Sequence, residues 1–467
     1  MYARGISTAQ YRRVYMSEPS DTERVYQLLP TYLENPDLAL SVREFVMGQC
    51  SWGISETCPR HNDAEHAAVK RRVGELGLGN ETTRVMLDSL DYWRRGPQGE
   101  RYGPHGRVFA GTITALLLSL CGNINTLYFN SELDPGPLKD YLLASNYGLT
   151  SRLALQQLRH VAFRPPRYPD DPRYYEDVNV LDILSCVHRL PCVTSFSMEG
   201  VAEGIADNDE PFPPKTSQSL KRVHIGHTEF HPHLLTTILR IPAGLEELFL
   251  SFGGLWMVDS PGAQIAPALL EKALRQHKGT LRVLDLDIGS AEISDYDGRP
   301  FVDPECDPDY TADRYYQMDL AAGEGPIYAH ELEDGHDTLA VGSLRDYKAL
   351  THLSVSIELL TTSMLPQGRI GRHESEFRLV DALPANLEYL CLYAYEKGKD
   401  EKHDSHVEEL MRTKSERLPR LREVVGVDKL VPGVFDKPEG WKDGGYIPED
   451  ALWNRPDDGL DGDWVEE

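Results

Sequence analysis

The sequence predicts an α/β solenoid: helix–loop–strand units stacked so that the strands form a curved parallel sheet on the concave side and the helices line the convex side. Three observations predict it. An L-x-x-L-x-L-like pattern recurs in ten places. The apolar period switches from helical to strand-like just before each copy. The length of 467 residues exceeds one compact core, whereas a stacked array can use any length.

Residues 1–41 read as an N-terminal helical cap. Its first stretch, "MYARGISTAQYRRVYMSEPS", has charges and no apolar core, so it is not a secretory signal. The copies then begin at Val42 (VREFVM), Ile124 (INTLYF), Leu158 (LRHVAF), Val193 (VTSFSM) and Leu220 (LKRVHI). They continue at Leu245 (LEELFL), Leu281 (LRVLDL), Leu350 (LTHLSV), Leu387 (LEYLCL) and Leu421 (LREVVG). The solenoid therefore covers 42–430, with irregular repeats of about 25–37 residues. The 82-residue gap from Val42 to Ile124 leaves room for three extra helices, a helical insertion at about 55–105. The 69-residue step from Leu281 to Leu350 holds one repeat plus an acidic loop at about 291–340. Residues 431–467 form an acidic tail.

Within a copy the fourth and sixth positions share one strand face. Upstream, "APALLEKALRQHKGT" puts Leu269, Leu270, Ala273 and Leu274 on one helical stripe and stops near Gly279. One such unit cannot cover its own apolar face, so copies must stack. A doubly wound α/β domain also alternates helix and strand, but its strands are apolar runs; these keep polar residues at alternate positions. No G-x-G-x-x-G or P-loop pattern follows any strand.

The formal net charge is -26. Residues 291–340 hold 14 acidic side chains against two arginines, and residues 432–467 hold 11 acidic against three basic. Such charge repels nucleic acid and anionic membrane, and no apolar run is long enough to span a bilayer. The seven cysteines are scattered with no C-x-x-C, which fits reduced thiols in a cytoplasmic or nuclear protein. A monomer is expected.

The ten-place L-x-x-L-x-L pattern resembles leucine-rich-repeat proteins. That family usually follows the pattern with Asn or Cys at the ninth position; Cys50 fits, while Pro166, Val201, Thr228, Gly253, Gly289, Glu358 and Tyr395 do not. "YQLLPTYLENPDLALSVREFVM", "LRDYKALTHLSVSI" and "LVDALPANLEYLCLY" are similar to segments of fungal F-box and leucine-rich-repeat proteins. That resemblance implies the substrate-receptor part of a cullin-type ubiquitin ligase, reached through a Skp-type adaptor. No L-P-x-E-type F-box motif is recognisable upstream.

In this register the third, fifth and seventh positions face away from the helices. His160, Arg164, Arg222 and His224 make a basic zone suited to an acidic or phosphorylated partner. Asp285 and Asp287 make an acidic spot, and Phe249, Tyr389 and Tyr393 supply aromatic anchors. These nine residues are the expected protein-binding surface. No catalytic motif is present, so a non-enzymatic recognition scaffold without cofactor is expected. The rival reading is a metal protein or enzyme centred on "HIGHTEFHPH", with His224, His227, His231 and His233, although a solvated loop suits that stretch better. "CPRHNDAEH" (Cys58, His61, His66) is a weaker metal candidate. "SDYDGRPFVDPECDPD", with Asp295, Asp297, Asp303 and Asp307, lacks the spacing of a calcium loop.

Overall fold

The computed structural model describes residues 12–16, 19–48, 53–96, 103–130, 133, 135–151, 155–164, 175–203, 216–253, 264–288, 292–293, 343–361 and 378–433. The chain divides into two compact units, Met1–Pro166 with Val180–Ser197, and Arg167–Asn179 with Met198–Glu467. The expected acidic loop at 291–340 and most of the tail at 431–467 lie outside the described residues.

The first unit holds strands β1 (Arg13–Met16), β2 (Glu44–Met47), β3 (Thr126–Phe129) and β4 (His160–Phe163). Its helices are α1 (Pro19–Glu34), α2 (Pro36–Ala39), α3 (Asp63–Glu75), α4 (Asn80–Arg94), α5 (Pro104–Leu120), α6 (Pro137–Asn146) and α7 (Val180–Ser185). The second unit holds β5 (Glu176–Val178), most of β6 (Ser195–Glu203), β7 (Arg222–Glu229), β8 (Glu247–Phe252), β10 (Val283–Asp287), β12 (His352–Ser356), β13 (Tyr389–Tyr393) and β14 (Glu423–Val425). Its longer helices are α8 (Pro232–Arg240), α9 (Pro267–Arg275) and one over Glu401–Arg417. The main sheet is open, parallel and 12-stranded, in the order β1-β2-β3-β4-β6-β7-β8-β10-β12-β13-β14, with β5 pairing on β6. A separate two-stranded sheet joins β9 (Gln264–Ile265) and β11 (Glu292–Ile293).

Proline at the first helical turn starts α5, α6, α8 and α9, where its missing N–H costs nothing. Asn62 and Glu65 form a reciprocal capping box on α3. Helix α5 is apolar nearly all round, which suits the buried helix it is. It packs on α1, α4 and α6, and Thr114 Oγ1 lies 3.5 Å from Met16 Sδ on β1. One strand was not legible: β1 pairs in register with β2 (Arg13↔Glu44) although "RVYM" lacks the repeated pattern.

Each first position of the ten copies is buried, from Val42 to Leu421. The fourth and sixth positions, such as Leu248 and Leu250 or Leu284 and Leu286, are buried too, except for the half-buried Val424 of the last copy. The third and fifth remain mostly half-exposed, as on β8 and β10. A sheet covered on both faces would not alternate this way. The copies also pair in step. In the first unit the second-position N–H groups of Arg43, Asn125, Arg159 and Thr194 each donate to the preceding copy's second-position carbonyl, or to that of Arg12 at the start. In the second unit Glu246, Arg282, Thr351, Glu388 and Arg422 do the same, starting from Lys221.

Among the described residues, no helix is long and apolar enough to cross a membrane.

Candidate functional site

Each unit carries its own rows of outward sheet positions. In the first, the third-position row is Glu44, Thr126, His160, in direct register. Glu44 accepts from Arg13, with Nη2 to Oε2 at 2.6 Å. His160 Nδ1 lies 2.6 Å from Ser195 Oγ. Arg164 follows β4, and its backbone N–H donates to Phe129 O at 2.7 Å.

The second unit carries the longer face. Its third-position row is Arg222, Glu247, Val283, His352, Tyr389, Glu423 across six strands. Its fifth-position row is His224, Phe249, Asp285, Ser354, Cys391, Val425. Seven of the nine expected surface residues lie in this unit; His160 and Arg164 lie in the other. The expected basic zone is thus divided between the units, two residues in each.

Arg222 and His224 are exposed. The His224 ring stacks on Phe249 at 5.3 Å, and His352 stacks on Tyr389 at 5.9 Å. Tyr393 Oη donates to Asp285 Oδ1 at 2.9 Å, and the Ser354 hydroxyl also bonds Asp285. Burial raises the Asp285 pKa above the usual carboxylate range, and neighbouring Asp287 raises it further. Asp287 is only 6% exposed. Burial and Asp285 raise the Tyr393 hydroxyl, and burial raises the Cys391 thiol, so neither is prepared as a nucleophile. Aromatic rings, hydroxyls and carboxylates on a rigid sheet can bind a partner; no base faces a lowered nucleophile in this group.

The histidine stretch is not a solvated loop. Strand β7 runs on through Glu229, with an irregularity between Ile225 and Thr228. His227 sits at that irregularity with φ 47°, buried, its Nδ1 3.1 Å from Gly253 O and its Nε2 3.6 Å from Glu199 Oε1. Gly226 leaves room for the Glu199 carboxylate; a Cβ there would come within 2.6 Å of it. His231 caps α8, its Nδ1 accepting the His233 N–H at 3.4 Å, while Glu203 Oε2 accepts the His231 N–H at 2.8 Å. Burial pushes Glu203 up to about 7. The four imidazoles therefore have different duties. Among the described residues, no three His, Cys, Asp or Glu side chains gather as a ligand set. His61 Nε2 lies 2.8 Å from Tyr26 O and His66 Nε2 2.8 Å from Asp91 Oδ1, so these two serve the helices. Asp295, Asp297, Asp303 and Asp307 lie outside the described residues.

Sequence reasoning missed Glu199, Glu203 and Ser354 as partners. Ser354 stood in the fifth column, but its pairing with Asp285 needs Tyr393 from a third strand. No sequence signal links Glu203 to the His231 backbone, 28 residues on. No family model and no curated protein matches the chain.

Proposed function

We propose that the chain is a non-enzymatic protein-recognition scaffold, built as a leucine-rich-repeat solenoid with helices on its convex side. Its open sheet face meets the partner. One observation supports this best: on nine of the ten repeated strands the fourth and sixth side chains are buried, while most third- and fifth-position side chains stay partly accessible in aligned rows. Rigid aromatic side chains on such a face are suited to an interface centre. By its resemblance the protein acts as the substrate-receptor part of an F-box-type leucine-rich-repeat protein, in the cytoplasm or nucleus, as a monomer. A Skp-type adaptor and a cullin ligase are its proposed wider partners.

The experiment is affinity purification from the native cell with the parent and with a Phe249→Ala/Tyr389→Ala variant. The parent should retain a client that the variant loses, together with a Skp-type adaptor. Identical retention by both proteins would remove the recognition face from consideration. A client recovered without any adaptor would leave recognition standing and end the ligase link.

A further inference from the structure

We propose that the open sheet face of the second unit docks a basic protein segment, and that a lysine or arginine head group of that segment seats over Asp285. This rests on reading that face as a recognition surface. It adds the sign of the partner, which the sequence had suggested was acidic.

Charge decides the sign. Among the described residues, the open face across β7 to β14 carries Glu247, Asp285 and Glu423 against one permanent cation, Arg222, while Asp287 lies buried at the end of β10. A field of one sign raises the encounter rate with the opposite sign and disfavours a like-charged partner.

Local chemistry fixes the seat. Asp285 is half-buried, and its hydrogen-bond partners are the hydroxyls of Tyr393 and Ser354. Among the described residues, no lysine or arginine makes an ion pair with it. A partly desolvated carboxylate held by neutral donors gains most from an incoming ammonium or guanidinium. Phe249 stands beside it in direct register, half-exposed, on the neighbouring strand. Tyr389 lies two strands and two residues away on the other side, also half-exposed. A ring beside a carboxylate covers the methylenes of a long basic side chain and attracts its charge.

The register also sets a spacing. Arg222 is two strands and two residues from Asp285, on the order of 12 Å. An extended segment needs roughly three to four residues to cover that distance. An acidic side chain over Arg222 would therefore stand about that far from the basic one over Asp285.

The test is selection of a random 12-residue displayed-peptide library on the full chain. Each enriched peptide is then synthesised and measured against the parent, Asp285→Asn/Asp287→Asn and Arg222→Gln, all checked for native melting. The proposal expects lysine- or arginine-bearing peptides whose affinity falls roughly tenfold in the double Asn variant. Binding should also weaken as salt rises. Acidic peptides that fail only on Arg222→Gln would overturn the basic partner while leaving face recognition intact. Peptides unaffected by either variant, or no enrichment at all, would overturn both. Should the double variant fail to melt natively, Asp285→Asn alone and a Phe249→Ala variant take its place, with the same outcomes decisive.

Discussion

Leu284 and Asp285 are neighbours in sequence and opposites in environment. Leu284 is fully buried on the inner side of β10, while Asp285 faces outward and is half-buried. Leu284→Ala should cost about 2–5 kcal/mol, from lost burial plus a residual cavity. Asp285→Ala should cost much less, and comparison of denaturant melts settles it; equal losses would mean that the outward face is as packed as the inner one. Glu203 offers a pH test. Its folded pKa, about 7, lies above that of an unfolded glutamate, so the folded state resists its ionisation. Stability should fall as pH rises from about 4.3 to about 7, and stay lower above that. Glu203→Gln should accordingly melt higher than the parent at pH 8 and show no gain at pH 4. A gain of the same size at both pH values would exclude ionisation as its source. The outward columns were legible from period two alone. Other residues were not: His277 is fully buried, its Nδ1 accepting the Leu245 N–H at 3.1 Å and its Nε2 lying 2.8 Å from Leu239 O. Both contacts come from other elements, and nothing in "RQHKGT" announces them.

Strand β14 shows how an element's length follows from one residue. Its copy of the pattern has glycine where the others have an apolar sixth residue. Gly426 adopts φ +85°, a conformation glycine tolerates, and an added Cβ would collide with the Leu392 carbonyl oxygen. The exception is thus a required turn, and the strand stops at Val425. Gly426→Ala should destabilise the β13–β14 pairing, with faster amide exchange at Glu423–Val425 as the readout. Exchange unchanged from the parent would show that the turn relaxes without strain. Strand starts were legible because the first apolar position is buried every time. Strand ends were less so. Strands β6 and β7 overrun the six-residue pattern to Glu203 and Glu229: the end of β6 pairs with β5, and β7 continues past an irregularity that holds Gly226 and the left-handed His227. Helix starts were partly readable from proline, but the gap between β2 and β3 showed only room for extra helices; α3 and α4 fall within the expected 55–105, while α5 runs on to Leu120.

At the scale of the whole molecule, a net charge of -26 makes self-repulsion a general cost of folding. Raising the salt concentration from about 0.01 M to about 0.15 M shortens the Debye length from roughly 30 to 8 Å. The melting temperature should therefore rise over that range, and a fall would mean that attractive ion pairs outweigh repulsion. The open α/β class and the parallel order of the strands were legible because every copy repeats one apolar rhythm. The division into two units was not, since the rhythm continues across both. The ladder at the second position has a different kind of consequence. Its rungs, such as Arg282 N–H to Glu246 O and Thr351 N–H to Arg282 O, use main-chain atoms only. Side chains there can change without removing a rung. Inheritance can thus act on two parts of this chain at different speeds: the buried apolar positions hold the register, while the outward columns are free to vary. A lineage can exchange one partner for another by editing the face, residue by residue, with the strands beneath keeping their places.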